Sequence, residues 1–251
     1  VVVVTVAVAL VIGGGLVLGQ RSTDQPEPGQ PVPAATPSEE TATLPWVSAM
    51  VARNGRDITV YTGPGEAKCK ELHQPQASVT EQAPGQVVVA VRGRLIDSVD
   101  CSVSGQAVPL VVSLRTPLGD RTLRDAATGL SRPPYLEREL PDLGSDERWS
   151  PYSSNWMSTD ERWLQGYNGP NGSGLLVSAH PTATSSRPTP VATVRIGPHR
   201  GVVTGGGGVG RWWTVWWESG EATYSLRLMP AEGSAFTLAQ FKRELARLRW
   251  R

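Results

Sequence analysis

The sequence predicts a mainly β protein with a C-terminal α-helix, an antiparallel β-sandwich-like proximal domain followed by an α+β distal domain. Short valine-rich runs alternate with glycine, proline and other turn residues from position 58 onward. No stretch before Leu140 sustains a 3.6-residue apolar period, whereas the closing TLAQFKRELARLRWR does. With 251 residues, 39% of them hydrophobic, the chain is too apolar to be disordered throughout and long enough to bury a core. A net charge of +1 removes any global electrostatic case for nucleic acid, and two cysteines exclude a Cys-rich metal module.

Residues 1–19 carry no charge. As a helix they span roughly 28 Å at about 1.5 Å per residue, close to the hydrocarbon thickness of a bilayer, so they read as a transmembrane anchor. Residues 20–45 hold six prolines and set Arg21 against Asp24, Glu27, Glu39 and Glu40, the composition of a semi-extended linker. The proximal domain then covers 46–140 and the distal domain 141–251. Cys69 and Cys101, an even pair on the presumed oxidising side of a membrane, are expected to form a disulfide worth about 3–4 kcal/mol in the chain-entropy picture.

In the proximal domain the runs 58–63, 77–81, 86–93 and 108–119 read as strands. In the last of them Val108, Leu110, Val112 and Leu114 share one face. The polar stretch 117–129 lacks the alternating oxygen ligands of a calcium loop, since Arg121 and Arg124 intrude, and it reads as a salt-bridged turn. Glu137, Arg138 and Glu139 read as solvated surface.

The run from Cys69 through PLGDRTLRDAATG and RPPYLERELPDL to SSNWMSTDERWLQGYN resembles an uncharacterised family of membrane-anchored proteins from high-GC actinobacteria, over roughly residues 61–168. The resemblance implies an extracytoplasmic location and transfers no functional residue.

In the distal domain Trp149, Trp156 and Trp163 recur every seven residues, with a short helix expected to begin near Ser158. Their rings suit a glycan platform, although packing of loops against a sheet is the commoner use of tryptophan. The segments 175–180 and 191–205 read as strands. The glycine-rich 203–211 lacks the Lys-Ser/Thr pair of a phosphate loop. WWTVWWESGEATYSLRLMP reads as a hairpin placing Trp213 and Trp217 on one face and Trp212 and Trp216 on the other. The final helix starts with Thr237 and Gln240 in capping-box spacing. It turns Leu238, Phe241, Leu245 and Leu248 inward, leaving Lys242, Arg243, Arg247 and Arg249 as a basic face.

No HExxH, GxSxG or SxxK motif is present, and His73, His180 and His199 lie in separate segments. No metal or cofactor is expected. The function these features predict is that of a non-enzymatic, single-pass, membrane-anchored extracytoplasmic binding or assembly module of the cell envelope. Its candidate binding residues are Trp212, Trp213, Trp216 and Trp217, with Trp156 and Trp163. Its partners would be the membrane, reached through the N-terminal helix, and an envelope protein or cell-wall polymer, with no nucleic acid. The alternatives are a hydrolase or other enzyme acting on an envelope substrate, and a structural or sensory ectodomain.

Overall fold

Alternating apolar and polar positions dominate the chain, and the structure spends them on strands. The computed structural model describes residues 41–62, 70–97, 108–151, 162–184, 189–205 and 212–250. The strands are β1 (Ala42–Leu44), β2 (Ser48–Val51), β3 (Asp57–Thr62), β4 (Lys70–Gln82), β5 (Gln86–Asp97), β6 (Val108–Ser113), β7 (Thr122–Asp125) and β8 (Tyr135–Leu136). They continue with β9 (Ser150–Pro151), β10 (Trp163–Asn168), β11 (Gly174–Pro181), β12 (Ala192–Ile196), β13 (His199–Gly205), β14 (Trp213–Ser219) and β15 (Ala222–Met229). One α-helix, α1 (Leu238–Arg247), closes the described chain.

Three sheets result, so the fold is predominantly β with a single C-terminal helix, as the sequence predicts. The first has the order β1-β5-β4, with β7 running parallel beside β5. The second has the order β6-β3-β2-β8, in which β2 and β8 are parallel. The third is seven-stranded, β12-β13-β14-β15-β11-β10-β9, and antiparallel throughout.

The first two sheets pack as a sandwich around Trp46, Ile58, Val60, Val87, Val89, Val91 and Leu123. Trp46 is fully buried between β1 and β2, and its indole N–H donates to the Val89 carbonyl at 3.2 Å, tying the two sheets together. The period of two along β2 and β3 lets the second sheet serve two cores. Ala49, Val51, Ile58 and Val60 face the sandwich, while Met50 and Tyr61 face the seven-stranded sheet. That second core also takes Trp213, Val215, Trp217, Tyr224, Leu226 and, from α1, Phe241 and Leu245. Fully burying each such side chain is worth about 1.5–3 kcal/mol.

The polar stretch around β7 is built differently from the salt-bridged turn expected there. Asp125 is buried and caps its own turn, accepting from the Ala127 N–H at 2.9 Å and the Thr128 hydroxyl at 3.0 Å. The Arg121 guanidinium donates to the carbonyls of Thr116, Pro117 and Leu118, and Arg124 to that of Gly129. Turn carbonyls, rather than carboxylates, accept these guanidinium hydrogen bonds.

The membrane expectations need correction. Residues 1–19 lie outside the described residues. Among those described no helix is long and apolar enough to cross a membrane, and α1 has only ten residues where a span needs about twenty. The described apolar residues are distributed at strand and short-helix periods. The fold therefore gives no footing to an N-terminal membrane partner or to a single-pass, extracytoplasmic location, and these are withdrawn. Cys69 and Cys101 also lie outside the described residues, and no disulfide is found among the rest. The described residues thus give the disulfide no footing, and that expectation is withdrawn too; the β4–β5 hairpin between the two positions is closed by its own ladder, from Lys70↔Asp97 to Gln82↔Val87. The helix expected from Ser158 falls outside the described residues; Trp163, expected in it, opens β10.

Candidate functional site

The two faces of the seven-stranded sheet divide the tryptophans of β14 and the Trp212 that precedes it. Trp213 and Trp217 are buried, the first stacked on Phe241 at 6.5 Å with its N–H on the Phe236 carbonyl at 2.8 Å. Trp212 and Trp216 lie on the opposite side. Trp212 is 47% exposed, with the Arg227 guanidinium 5.1 Å from its ring centre. Half-buried Trp216 donates to the Thr204 hydroxyl at 2.9 Å. The same side carries Ser178 and Ser225, hydrogen-bonded at 2.7 Å, and Thr214, which accepts from Arg227 at 3.3 Å. Burial, with Arg162 close by, lowers the pKa of Arg227 from its ordinary value. His180 is buried on this side, edge-on to Trp216. His199 is on the other side, so the sheet separates the two histidines.

Trp163 is buried in the second core, and Trp156 lies outside the described residues. Lys242, Arg243, Arg247 and Arg249 are exposed along and just beyond α1, where Arg247 pairs with Glu244 at 2.8 Å. Among the described residues no three His, Cys, Asp or Glu side chains gather as metal ligands would.

The segment from Tyr135 to Leu143 is a strap that leaves the edge of the second sheet towards the third and borders two cavities. It enters as β8 on Met50 and Val51, makes one tight turn over Glu137–Glu139, and leaves through Leu140. The strap is held from both sides. The Tyr224 hydroxyl accepts from the Leu136 N–H at 3.0 Å, and the Trp217 indole donates to the Glu139 carbonyl at 3.2 Å. From the second sheet the Arg53 guanidinium donates to the Leu140 carbonyl at 2.7 Å, and its main-chain N–H to Glu137 at 3.1 Å.

Burial pushes the Tyr224 phenol up to about 12, and the N–H it receives from Leu136 only partly offsets this. Glu139, read from the sequence as solvated, keeps only 14% of its side chain exposed, with an oxygen 3.3 Å from His199 Nε2. His199 is stacked on Trp217 and edge-on to Trp250, and burial lowers its pKa while Glu139 pulls the other way. A run of alternating charges gives no local sign of this, because the partner ring comes from β13, far along the chain.

On one side of the strap opens a cleft of about 1070 Å³, with walls from the second sheet, the loop at 117–121 and the β14–β15 turn. Arg121, Arg132 and Arg138 reach it, as do Asp120, Glu139 and Glu221, and Tyr135 and Tyr224 form part of its floor. On the other side lies a smaller cavity lined in part by Glu137, Tyr61, Trp163 and Tyr167. Sequence reasoning found neither compartment, since each is assembled from segments with no local periodicity in common.

No protein-family model, no curated protein and no solved structure matches this chain. Together with the absence of any long apolar helix among the described residues, this overturns the resemblance to a membrane-anchored actinobacterial family, which nothing supports.

Proposed function

We propose that this protein is a non-covalent binding domain whose ligand is an extended polypeptide segment held in the cleft beside the strap. The observation that carries the reading is the cleft's composition: three guanidinium groups and three carboxylates around a partly apolar floor. A polypeptide presents carbonyl acceptors, N–H donors and apolar side chains along one length, and this lining answers all three. Pro133 and Pro134 lack N–H groups just before β8, which disfavours extension of the sheet by an added strand. Recognition therefore rests on side chains.

The test is selection from a random peptide library displayed on phage, followed by titration of the selected peptide into the wild type and into Arg138→Glu and Glu221→Lys. A consensus peptide whose affinity drops by about tenfold in at least one charge-reversed variant supports the reading. Failure to enrich any consensus, or equal affinity in all three proteins, refutes it. Half-exposed Trp212, beside a hydroxyl-rich sheet face, favours a second reading, stacking of a saccharide ring. A glycan array that stays blank for the wild type removes that one.

A further inference from the structure

The cavity behind the strap has a volume of about 210 Å³. That is several times the roughly 30 Å³ share of one liquid water, yet below the roughly 300–1,000 Å³ of pockets for drug-sized molecules. It has room for one compact head group. Its walls include three aromatic side chains, Tyr61 from β3 and Trp163 and Tyr167 from β10, with Met50 beside them and Glu137 on the strap. Tyr61 and Trp163 are buried, whereas Glu137 keeps 46% of its side chain exposed and so stands where solvent and cavity meet.

We propose that this cavity is an aromatic cage for a methylated ammonium, a quaternary head group of the choline type. The faces of aromatic rings carry negative potential and attract a cation that has been stripped of water. Three rings and a carboxylate around one small space concentrate that attraction. A quaternary ammonium brings no N–H donor, so ring faces and a counter-charge are what would hold it.

The side-chain acceptors around the cavity are the hydroxyls of Thr59, Tyr61 and Tyr167 and the Glu137 carboxylate. The Trp163 indole N–H is itself a donor, buried near the Tyr61 phenol without completing a hydrogen bond of good geometry. Burial raises the pKa of Tyr61, and Glu137 adds to the effect; Tyr167 is pushed up to about 12 by burial first, then by Glu137 and Tyr61. Both phenols therefore stay protonated, and Glu137 supplies the negative charge that both of them feel. Arg53 pairs with that carboxylate, which stays half-exposed beside the cavity. Its Nε stands 4.0 Å from Glu137 Oε1, its main-chain N–H donates to Oε2 at 3.1 Å, and its Nη2 donates to the Leu140 carbonyl at 2.7 Å.

The experiment is calorimetric titration of the full chain with choline and, separately, with its uncharged isostere in which carbon replaces nitrogen. Saturable choline binding is expected, with the isostere weaker by about tenfold, the factor that a cation–π contribution of about 1.4 kcal/mol gives. Glu137→Gln, at a half-exposed position whose amide oxygen still accepts from Arg53, is expected to weaken choline and leave the isostere unchanged. Trp163→Phe, checked for its fold by circular dichroism, is expected to weaken choline as well. No saturable choline binding, or equal affinity for choline and its isostere, overturns the cage, as does a Glu137→Gln protein that binds choline like the wild type. If Trp163→Phe does not fold, Glu137→Gln alone decides. The cage and the cleft share only the strap and are probed with different ligands, so either can fail without the other.

Discussion

His199 sits between two indoles and a carboxylate, and folding therefore changes its hold on a proton. Burial favours the neutral ring, so its pKa in the folded protein lies below the ordinary 6.5 even though Glu139 opposes the shift. The unfolded chain then binds more protons than the folded one as the pH drops past 6.5. The contribution of the neutral ring to stability is complete above that pH and is lost as pH falls through the folded-state value. The melting temperature is expected to decline between about pH 7 and pH 5, and His199→Gln is expected to flatten that stretch of the profile. Parallel profiles for the two proteins would refute the assignment. The carboxylates lowered by the Ser113 hydroxyl at Asp57 and by Arg148 at Asp146 act in a separate, more acidic window, below 3.8.

At the scale of elements, α1 shows how a short helix divides its stability between its end and its face. Thr237 accepts from the Gln240 N–H at 3.2 Å, and Gln240 returns the contact to the Thr237 N–H at 2.7 Å, completing a capping box. Phe241 is fully buried against Trp213. Thr237→Ala is expected to cost about 1 kcal/mol and Phe241→Ala about 3–5 kcal/mol, read from urea unfolding midpoints with unchanged slopes. Equal effects would mean that the packed face secures the helix no more than its capped end does.

This helix and the β14–β15 hairpin were legible in the sequence because caps, turns and periodicities act over a few residues. The strap was not. Glu137 and Glu139 look alike beside Arg138, and what separates them is contact with Arg53 on one side and His199 on the other. The cage was equally hidden, since Tyr61 and Trp163 meet only after the second and third sheets have packed.

Across the whole molecule, residues 39–251 form one compact unit, yet two hydrophobic cores lie within it. The second sheet belongs to both, presenting Ile58 and Val60 to one core and Met50 and Tyr61 to the other. A shared sheet cannot melt on behalf of one core alone, because losing its ladder exposes apolar side chains on both faces. One calorimetric transition is expected, with near- and far-ultraviolet circular dichroism changing together. Two resolved transitions would show that the cores unfold separately.

The tryptophan strand leaves a problem of choice for the folding chain. A slip of one residue in β14 would exchange Trp213-Val215-Trp217 for Trp212-Thr214-Trp216, two triplets of nearly the same shape that differ chiefly by one hydroxyl. The usual penalty for misregistration, apolar groups thrown into water, is blunted when both faces of a strand look so alike. The deciding information comes from the hairpin's end. Ser219 pairs with Ala222 across a two-residue loop in which Gly220 adopts φ +59° and Glu221 remains on the negative side, the type II′ arrangement that glycine favours in its first position. The smallest residue of the hairpin thus selects which of its largest are hidden.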